Sequence, residues 1–443
     1  MIILWTDALI YTLISVIIIL VFSLRKKEHF LRPWKQVSNS RIAMVSLVFL
    51  AFFLVIGLLD SVHFKPSKGS RNDIISVLDY WASPLRLHQE KSYSAPFSAY
   101  LYSKELIVSA DQPSRWGYRR LEFAGSHLND VEAEKTADIF VKALIGFVKG
   151  AGIVIILFCS YHWLKQQRFF SHKSVNSVFA TLFLLTSFSY MLLELSMHYH
   201  VMGTDKVGED VFYQAIKSIR TGLVIGSLTT LIMLPLAIVF GILAGFFRGW
   251  VDDIIQYIYT TLNSIPGVLL IAASILMVQV YMANHQEQFT SLVMRADMRL
   301  LFLCLILGVT SWTGLCRMLR AETLKLREME YVQAAQALGV PRYQILYRHI
   351  LPNVMHIVLI SVVLDFSSLV LAEAVLSYVN IGVDPTTYSW GNMINGARLE
   401  MAREPIVWWS LAASFVFMFG LVLSANLFAD SVRDAFDPRR AQS

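Results

Sequence analysis

Tyr331–Asn353 reads Y-V-Q-A-A-Q-A-L-G-V-P-R-Y-Q-I-L-Y-R-H-I-L-P-N, the most polar segment between two strongly apolar runs. Val332, Ala335 and Leu338 recur at near-helical spacing. Gly339 follows as a natural helix-ending residue, and Pro341 stops any continuation. A second helical piece is expected from Pro341 to about Tyr347, with Pro352 in the first turn of the next helix, where its missing N–H costs nothing. The stretch therefore predicts a helix, a sharp glycine turn and a return into an apolar span. Ala334, Ala335 and Ala337 give that helix a small-residue face. Two readings stand at this point: a rigid helix held in a groove on a partner, or a connecting loop that happens to be helical.

The flanking chain says what solvent this is built for. Of 443 residues 56% are hydrophobic and 16% charged, with mean hydropathy +0.54, whereas soluble domains carry roughly a quarter charged residues. Apolar runs long enough to cross a bilayer as helices recur along the chain, so the fold class is an all-α membrane protein, a polytopic helical bundle of about nine spans. A net charge of +6 does not imply nucleic acid, because the basic residues gather in short loops, where they set membrane orientation. The three cysteines, Cys159, Cys304 and Cys316, lie in or at the ends of apolar runs and suggest no disulfide framework.

Taken in order, residues 1–59 hold two spans, 2–22 and 42–59, around a basic loop with Arg25, Lys26, Lys27, Arg32, Lys35 and Arg41. The positive-inside rule puts that loop in the cytoplasm and the N-terminus outside. Residues 60–142, with charges of both signs and Pro66, Pro84, Pro96 and Pro113, form an extracytoplasmic insertion. Residues 143–200 hold an additional hairpin, 143–163 and 177–197, turned at Lys165, Arg168 and Lys173. Glu194 and His198 and His200 read as interface residues, since two histidines without a third ligand make no metal site. Val207 to Ile219 has one apolar side and suits a helix lying in the outer interface. Residues 201–443 then supply five spans: 219–247, 253–282, 298–319, 354–376 and 407–429. Arg248, Arg317, Arg320, Lys325, Arg327, Arg433, Arg439 and Arg440 place Tyr331–Asn353 and the C-terminus in the cytoplasm.

The central stretch resembles the EAA loop of permease subunits of ATP-binding-cassette importers: E-A-A, three residues, Gly, nine residues, then I-x-L-P. Here Gln333, Ala334, Ala335, Gly339, Leu351 and Pro352 fall at that spacing, with Gln333 in place of the glutamate and His349 in place of the isoleucine. Arg348-His349-Ile350-Leu351-Pro352-Asn353 is the wording of the peptide-permease branch. Gly203-Thr204-Asp205 with Gly208, Glu209 and Asp210 resembles the G-T-D-x-x-G-R-D-V signature of the C-type subunit of dipeptide and oligopeptide permeases, with Glu209 at the arginine position. Gly241–Gly245 with Gly249-Trp250-Val251-Asp252, Ala372–Ser377, Ser389–Met393 and Arg433–Arg439 also match family passages. The likeness covers 203–440; residues 41–59 correspond to the family's first span, and the span before it, the insertion and the hairpin are additions.

The resemblance implies a type I importer transmembrane core with N-terminal additions, multi-pass in a bacterial inner membrane. It implies coupling to an ATPase through Tyr331, Gln333, Ala334, Ala335, Leu338, Gly339, Arg342, Leu351 and Pro352. It implies an external interface at Gly203, Thr204, Asp205, Gly208 and Asp210. The partners implied are a second homologous permease, two ATPase subunits binding ATP and Mg, an extracytoplasmic solute-binding protein, and no nucleic acid. The chain has no G-x-x-x-x-G-K-[ST], so the P-loop route to ATP is closed to it; it is expected to be no enzyme itself and to hold no metal or cofactor. The cargo expected is a di- or oligopeptide or a similar small solute, with nickel complexes as an alternative in the same family. An ion-coupled secondary transporter is the rival, resting on Asp365 in mid-span, where an ionisable group faces the bundle or a wet cavity. Asp365, Glu373 and Pro266 are the pathway or gate candidates, Pro266 and Pro235 as breaks or kinks in spans.

Overall fold

In hydrocarbon no water satisfies a free amide, so an apolar run must close its hydrogen bonds along a helix. The structure, a computed structural model, describes residues 4–24, 28–65, 74–109, 112–165, 175–285, 287 and 291–436. Arg25, Lys26, Lys27, Pro66, Arg168, Lys173, Arg439 and Arg440, used above, lie outside the described residues.

Helix α1 (Trp5–Leu24) is followed by α2 (Glu28–Asn39) and α3 (Arg41–Ser61). The expected basic loop is thus largely an amphipathic helix, and Ser40 caps α3 by accepting the Ala43 N–H at 3.4 Å. The insertion is small and mixed: β1 (His63–Phe64) pairs antiparallel with β2 (Ile75–Ser76), then come α4 (Val77–Trp81) and α5 (Ser83–Leu87). A capping box of Ser76 and Asp79 starts α4. An antiparallel hairpin of β3 (Glu105–Ser109) and β4 (Gln112–Gly117) ends the insertion. Helices α6 (Val131–Lys165) and α7 (Val175–Ser196) form the additional hairpin, with α6 starting well before the expected residue 143. A Cβ on Gly146 or Gly150 would lie 2.7 Å from Met191 Cα or 2.6 Å from Ser187 Cα. Small residues four apart let the two backbones meet here.

The remaining elements are α8 (Val211–Phe247), α9 (Trp250–Ser264), α10 (Gly267–Asn284), α11 (Leu292–Ser311), α12 (Thr313–Arg327), α13 (Glu330–Ala337), α14 (Arg342–Ile345), a π-helical turn (Leu346–Ile350), α15 (Leu351–Tyr378), α16 (Trp390–Glu400) and α17 (Trp409–Phe436). Seven helices are long and apolar enough to cross a membrane among the described residues, and Trp5–Ile19 adds a shorter apolar helix.

Three expectations are corrected. The run 253–282 is two helices, because Pro266 has no N–H for the Leu262 carbonyl; only α10 is apolar enough to span. The run 298–319 is likewise divided at Trp312, and α11 carries Arg295, Asp297 and Arg299. The expected interfacial helix at 207–219 is instead the start of the continuous α8, with Val211, Ala215 and Ile219 buried.

The chain divides into two compact units. In the first, Lys35–Thr221 with Tyr388–Leu427, the insertion is bolted to the start of α8 by buried charge. Lys217 Nζ lies 2.9 Å from Asp60 and 2.7 Å from Asp79, and the Tyr213 hydroxyl donates to Asp79 at 2.6 Å. Burial raises the Asp79 pKa, but the Lys217 ammonium and the hydrogen bonds outweigh it and bring it to about 2. In the second unit, Ile3–Trp34 with Gly222–Thr387 and Phe428–Ser443, α1 is tied to α11: the Thr6 N–H donates to Asp297 Oδ2 at 3.3 Å and its hydroxyl to Oδ1. A Cβ on Gly241 would lie 2.8 Å from Leu319 Cβ, and one on Gly245 2.6 Å from Thr323 Cβ, so these glycines set the α8–α12 contact.

Candidate coupling site

The second unit builds one apolar core from the ends of α8, α9, α12, α13, α14 and α15. Val332 and Ala335 from α13, Ile345 from α14, Ile350 and Val354 are all buried in it. Val332 and Ala335 are three positions apart, so both fall on one face of α13, and that face is its seat.

The glycine turn is a Schellman motif. Gly339 adopts φ +75, its N–H reaches the Gln336 carbonyl at 3.0 Å, and the Val340 N–H reaches Ala335 at 3.1 Å. Val340 packs into the same core as Ala335, the apolar contact that usually accompanies this turn. A Cβ on Gly339 would meet nothing within 4 Å. Its requirement is conformational alone.

Beyond the turn the second helical piece is α14, and Pro352 stands in the first turn of α15 as expected. α14 passes through the π turn directly into α15, with the Leu351 N–H bonded to Leu346, five residues back. The wider turn takes in a proline whose ring would clash with an α-helical carbonyl. Asn353 Nδ2 donates to the Tyr331 hydroxyl at 3.1 Å and to the His349 carbonyl at 2.6 Å, fastening the start of α13 to the start of α15. The Arg342 guanidinium stands 5.7 Å from the Phe247 ring.

Ala335 is only 8% exposed and faces the chain's own core, so it is part of the mount. What projects outward is Leu338 at 84%, Tyr347 at 76% and Tyr343 at 75%, with Ala334 exposed beside them. Tyr343 and Tyr347 went unmarked in the sequence; their spacing of four within a helical stretch was the available signal. Gln333 donates to the Glu328 carbonyl at 3.3 Å and to its carboxylate at 3.4 Å, while Arg248 holds that carboxylate at 2.6 Å. A glutamate at 333 would face the Glu328 charge, whereas glutamine donates to it. Behind the core, Arg320 grips Asp252 with two bonds of 2.6 Å, and these hold the Asp252 pKa below the usual carboxylate range.

The other candidates separate. Glu373 is buried and accepts the Ser377 hydroxyl at 2.7 Å, next to a turn in which Asn380 (φ +62) ends α15. Asp365 is half-buried, and no hydrogen bond or ion pair reaches its carboxylate among the described residues. Pro266 is exposed at the break; Asn263 accepts from Thr313 at 3.0 Å and the Ser264 hydroxyl donates to the Thr261 carbonyl at 2.7 Å.

In the first unit, the residues expected as an external interface turn inward onto the insertion. Thr204 Oγ1 accepts the Ser94 N–H at 2.7 Å and donates to the Ser92 carbonyl at 2.8 Å, and Trp409 donates to the Thr204 carbonyl at 2.9 Å. A side chain at Gly203 or Gly208 would overlap the carbonyl of Ser94 or Glu90. Asp205 accepts the Val207 and Glu209 N–H groups, both at 2.9 Å. Asp210 accepts the Tyr213 N–H at 3.0 Å and pairs with His200 at 2.7 Å. Glu209, where the family has arginine, is reached by Gln89 and Gln214 at 3.2 and 3.1 Å. Glu90, unmarked in the sequence, lies 3.7 Å from His200 and accepts the N–H groups of Glu122, Phe123 and Ala124. Burial pushes the His200 pKa down, but hydrogen bonds and charge from Asp210 and Glu90 carry it up to about 9.

Residues 237–442, which contain 331–353 and most of the core around it, match the family described as the binding-protein-dependent transport system inner membrane component. The glutathione transport system permease protein GsiD of Pectobacterium atrosepticum is 30% identical over 240 residues, 54% of this chain and 73% of its own length. The chain belongs to this family. This inner membrane component is also 30% identical to the oligopeptide transport system permease protein OppC of Haemophilus influenzae, over 54% of the chain and 71% of that protein. It is 29% identical to the dipeptide transport system permease protein DppC of Lactococcus lactis, over 55% of the chain, and spans 65% of that relative's length. The component is an all-α, multi-pass inner-membrane protein and a transport subunit.

Proposed function

We propose that this inner membrane component is the permease subunit of an ATP-driven importer of peptides, and that α13 with its glycine turn is the element through which a partner ATPase drives it. The carrying observation is the division of labour in 331–353: Val332 and Ala335 lock α13 into the core, while Leu338, Tyr343 and Tyr347 present exposed apolar surface. A helix fixed on one face and free on the other transmits a push as a rigid body, and large apolar side chains left exposed near it offer a partner a surface to bury. The relatives named for dipeptides, oligopeptides and glutathione support a peptide-like cargo.

In this reading the component pairs with a second, homologous permease. Two ATPase subunits, which bind ATP and Mg, sit against 331–353 on the cytoplasmic side, and an extracytoplasmic binding protein delivers the cargo. The N-terminus is outside and the C-terminus cytoplasmic. Asp365 lines the pathway, because an unpartnered carboxylate in a span needs water or a passing cation. Glu373 fixes the end of α15, and the Pro266 break is a hinge between α9 and α10. Residues 203–210 hold the insertion.

Uptake of a labelled peptide by cells carrying the full transporter tests this. Leu338→Asp with Tyr343→Ala abolishes uptake while the chain still reaches the membrane. Undiminished uptake in that variant contradicts the coupling role.

A further inference from the structure

In the first unit a cavity of about 370 Å³ runs between α3 and α17, lined by Ile42, Val45, Phe49, Phe419 and Leu423. Small residues make the room: Gly420, Ser46 and Ser424 line it too. Both serines spend their hydroxyls on their own helices, Ser46 on Ile42 at 2.9 Å and Ser424 on Gly420 at 2.6 Å, so they offer nothing to a polar ligand. Arg41 closes one end. Its exposed guanidinium has no hydrogen bond or ion pair among the described residues.

Lining and charge select the occupant. From Ile42 to Phe49 the helix rises about 10 Å, and along that length the walls of the groove are apolar. Hydrocarbon fits such a slot, and a peptide, with a polar group at every residue, does not. The free cation at the mouth asks for an anion at the end of that hydrocarbon. We propose that the α3–α17 groove binds one anionic phospholipid of the bilayer, with an acyl chain along Val45, Phe49, Phe419 and Leu423 and the headgroup phosphate on Arg41.

The full chain in lipid nanodiscs would be irradiated with phosphatidylglycerol bearing a photoreactive acyl chain, and the adducts mapped by mass spectrometry. Adducts are expected on 42–49 and 419–427, with a phosphatidylcholine probe of the same chain labelling weakly. Arg41→Gln lowers phosphatidylglycerol labelling about tenfold, the loss of one charge-assisted contact, and Arg41→Lys restores much of it. Gly420→Leu fills the slot and removes labelling with Arg41 intact; a Cβ there makes ordinary contact with Phe53 at 3.5 Å, without overlap. Equal labelling by both probes, unchanged by Arg41→Gln, would make the groove ordinary lipid-facing surface. Absence of adducts, with Val45→Cys cross-linking to another polypeptide, would assign it to a protein partner. Either result overturns the proposal.

Discussion

At the scale of single residues, the position of Ala335 against Leu338 decides what each does. Ala335→Trp puts a large ring into a site that is 8% exposed, and overpacking there costs about 1–3 kcal/mol. The expected result is reduced yield and a lower unfolding midpoint, seen before any effect on partners. Leu338→Asp changes a residue 84% exposed and leaves the midpoint within about 0.5 kcal/mol of the parent. Gly339→Ala forces an alanine to φ +75 and costs about 1 kcal/mol. His200 carries a pH dependence. Its folded pKa of about 9 lies above the free value near 6.5, so its stabilisation is complete below pH 6.5 and lost as pH rises through 9. The amount is about 3 kcal/mol. Thermal unfolding compared at pH 6 and pH 10 is expected to show a drop that His200→Gln lacks. The glycine turn was legible because only a few residue types tolerate its backbone. The buried partners of His200 and Lys217 were not, since Glu90, Asp60 and Asp79 are far away in sequence and carry no local pattern.

At the scale of elements, hydropathy located α3, α7, α15, α17 and the end of α8 well, because a bilayer allows only self-satisfied backbone in a continuous apolar run. It misread the stretches where apolar character continues through a backbone break, at Pro266 and Trp312. The π turn before α15 was also invisible, because it depends on how Pro352 is accommodated and leaves the apolar pattern unchanged. The α8–α12 contact makes an element-level prediction. Gly241→Leu or Gly245→Val inserts a side chain where a Cβ already meets Leu319 at 2.8 Å or Thr323 at 2.6 Å. These variants should separate the two helices and lower thermal stability, while Gly314→Ala, where a Cβ meets nothing within 4 Å, should not. Similar losses in all three would show that close packing is not what the glycines at 241 and 245 provide.

At the scale of the whole molecule, residues 237–442 match the transport family, and within the first unit residues 60–87 are held to the start of α8 by buried charge. Breaking that attachment is expected to be costly: Lys217→Ala strands Asp60 and Asp79 together and destabilises the insertion by about 3 kcal/mol or more, read by limited proteolysis between residues 60 and 130. Family and fold class were legible because motif spacing and hydropathy are local in sequence. The insertion's fold was not, since it is made by long-range pairs such as Thr204 with Ser94. In the proposed function, 331–353 joins this component to an ATPase through its exposed face. The most direct test is a mild-detergent pull-down of the tagged full chain, with partners identified and ATP hydrolysis measured, for the parent and for Leu338→Asp with Tyr343→Ala. A second permease and an active ATPase are expected with the parent, and loss of the ATPase alone in a variant that still folds and still retains the second permease. An ATPase retained equally by both, or absent from the parent, would contradict it.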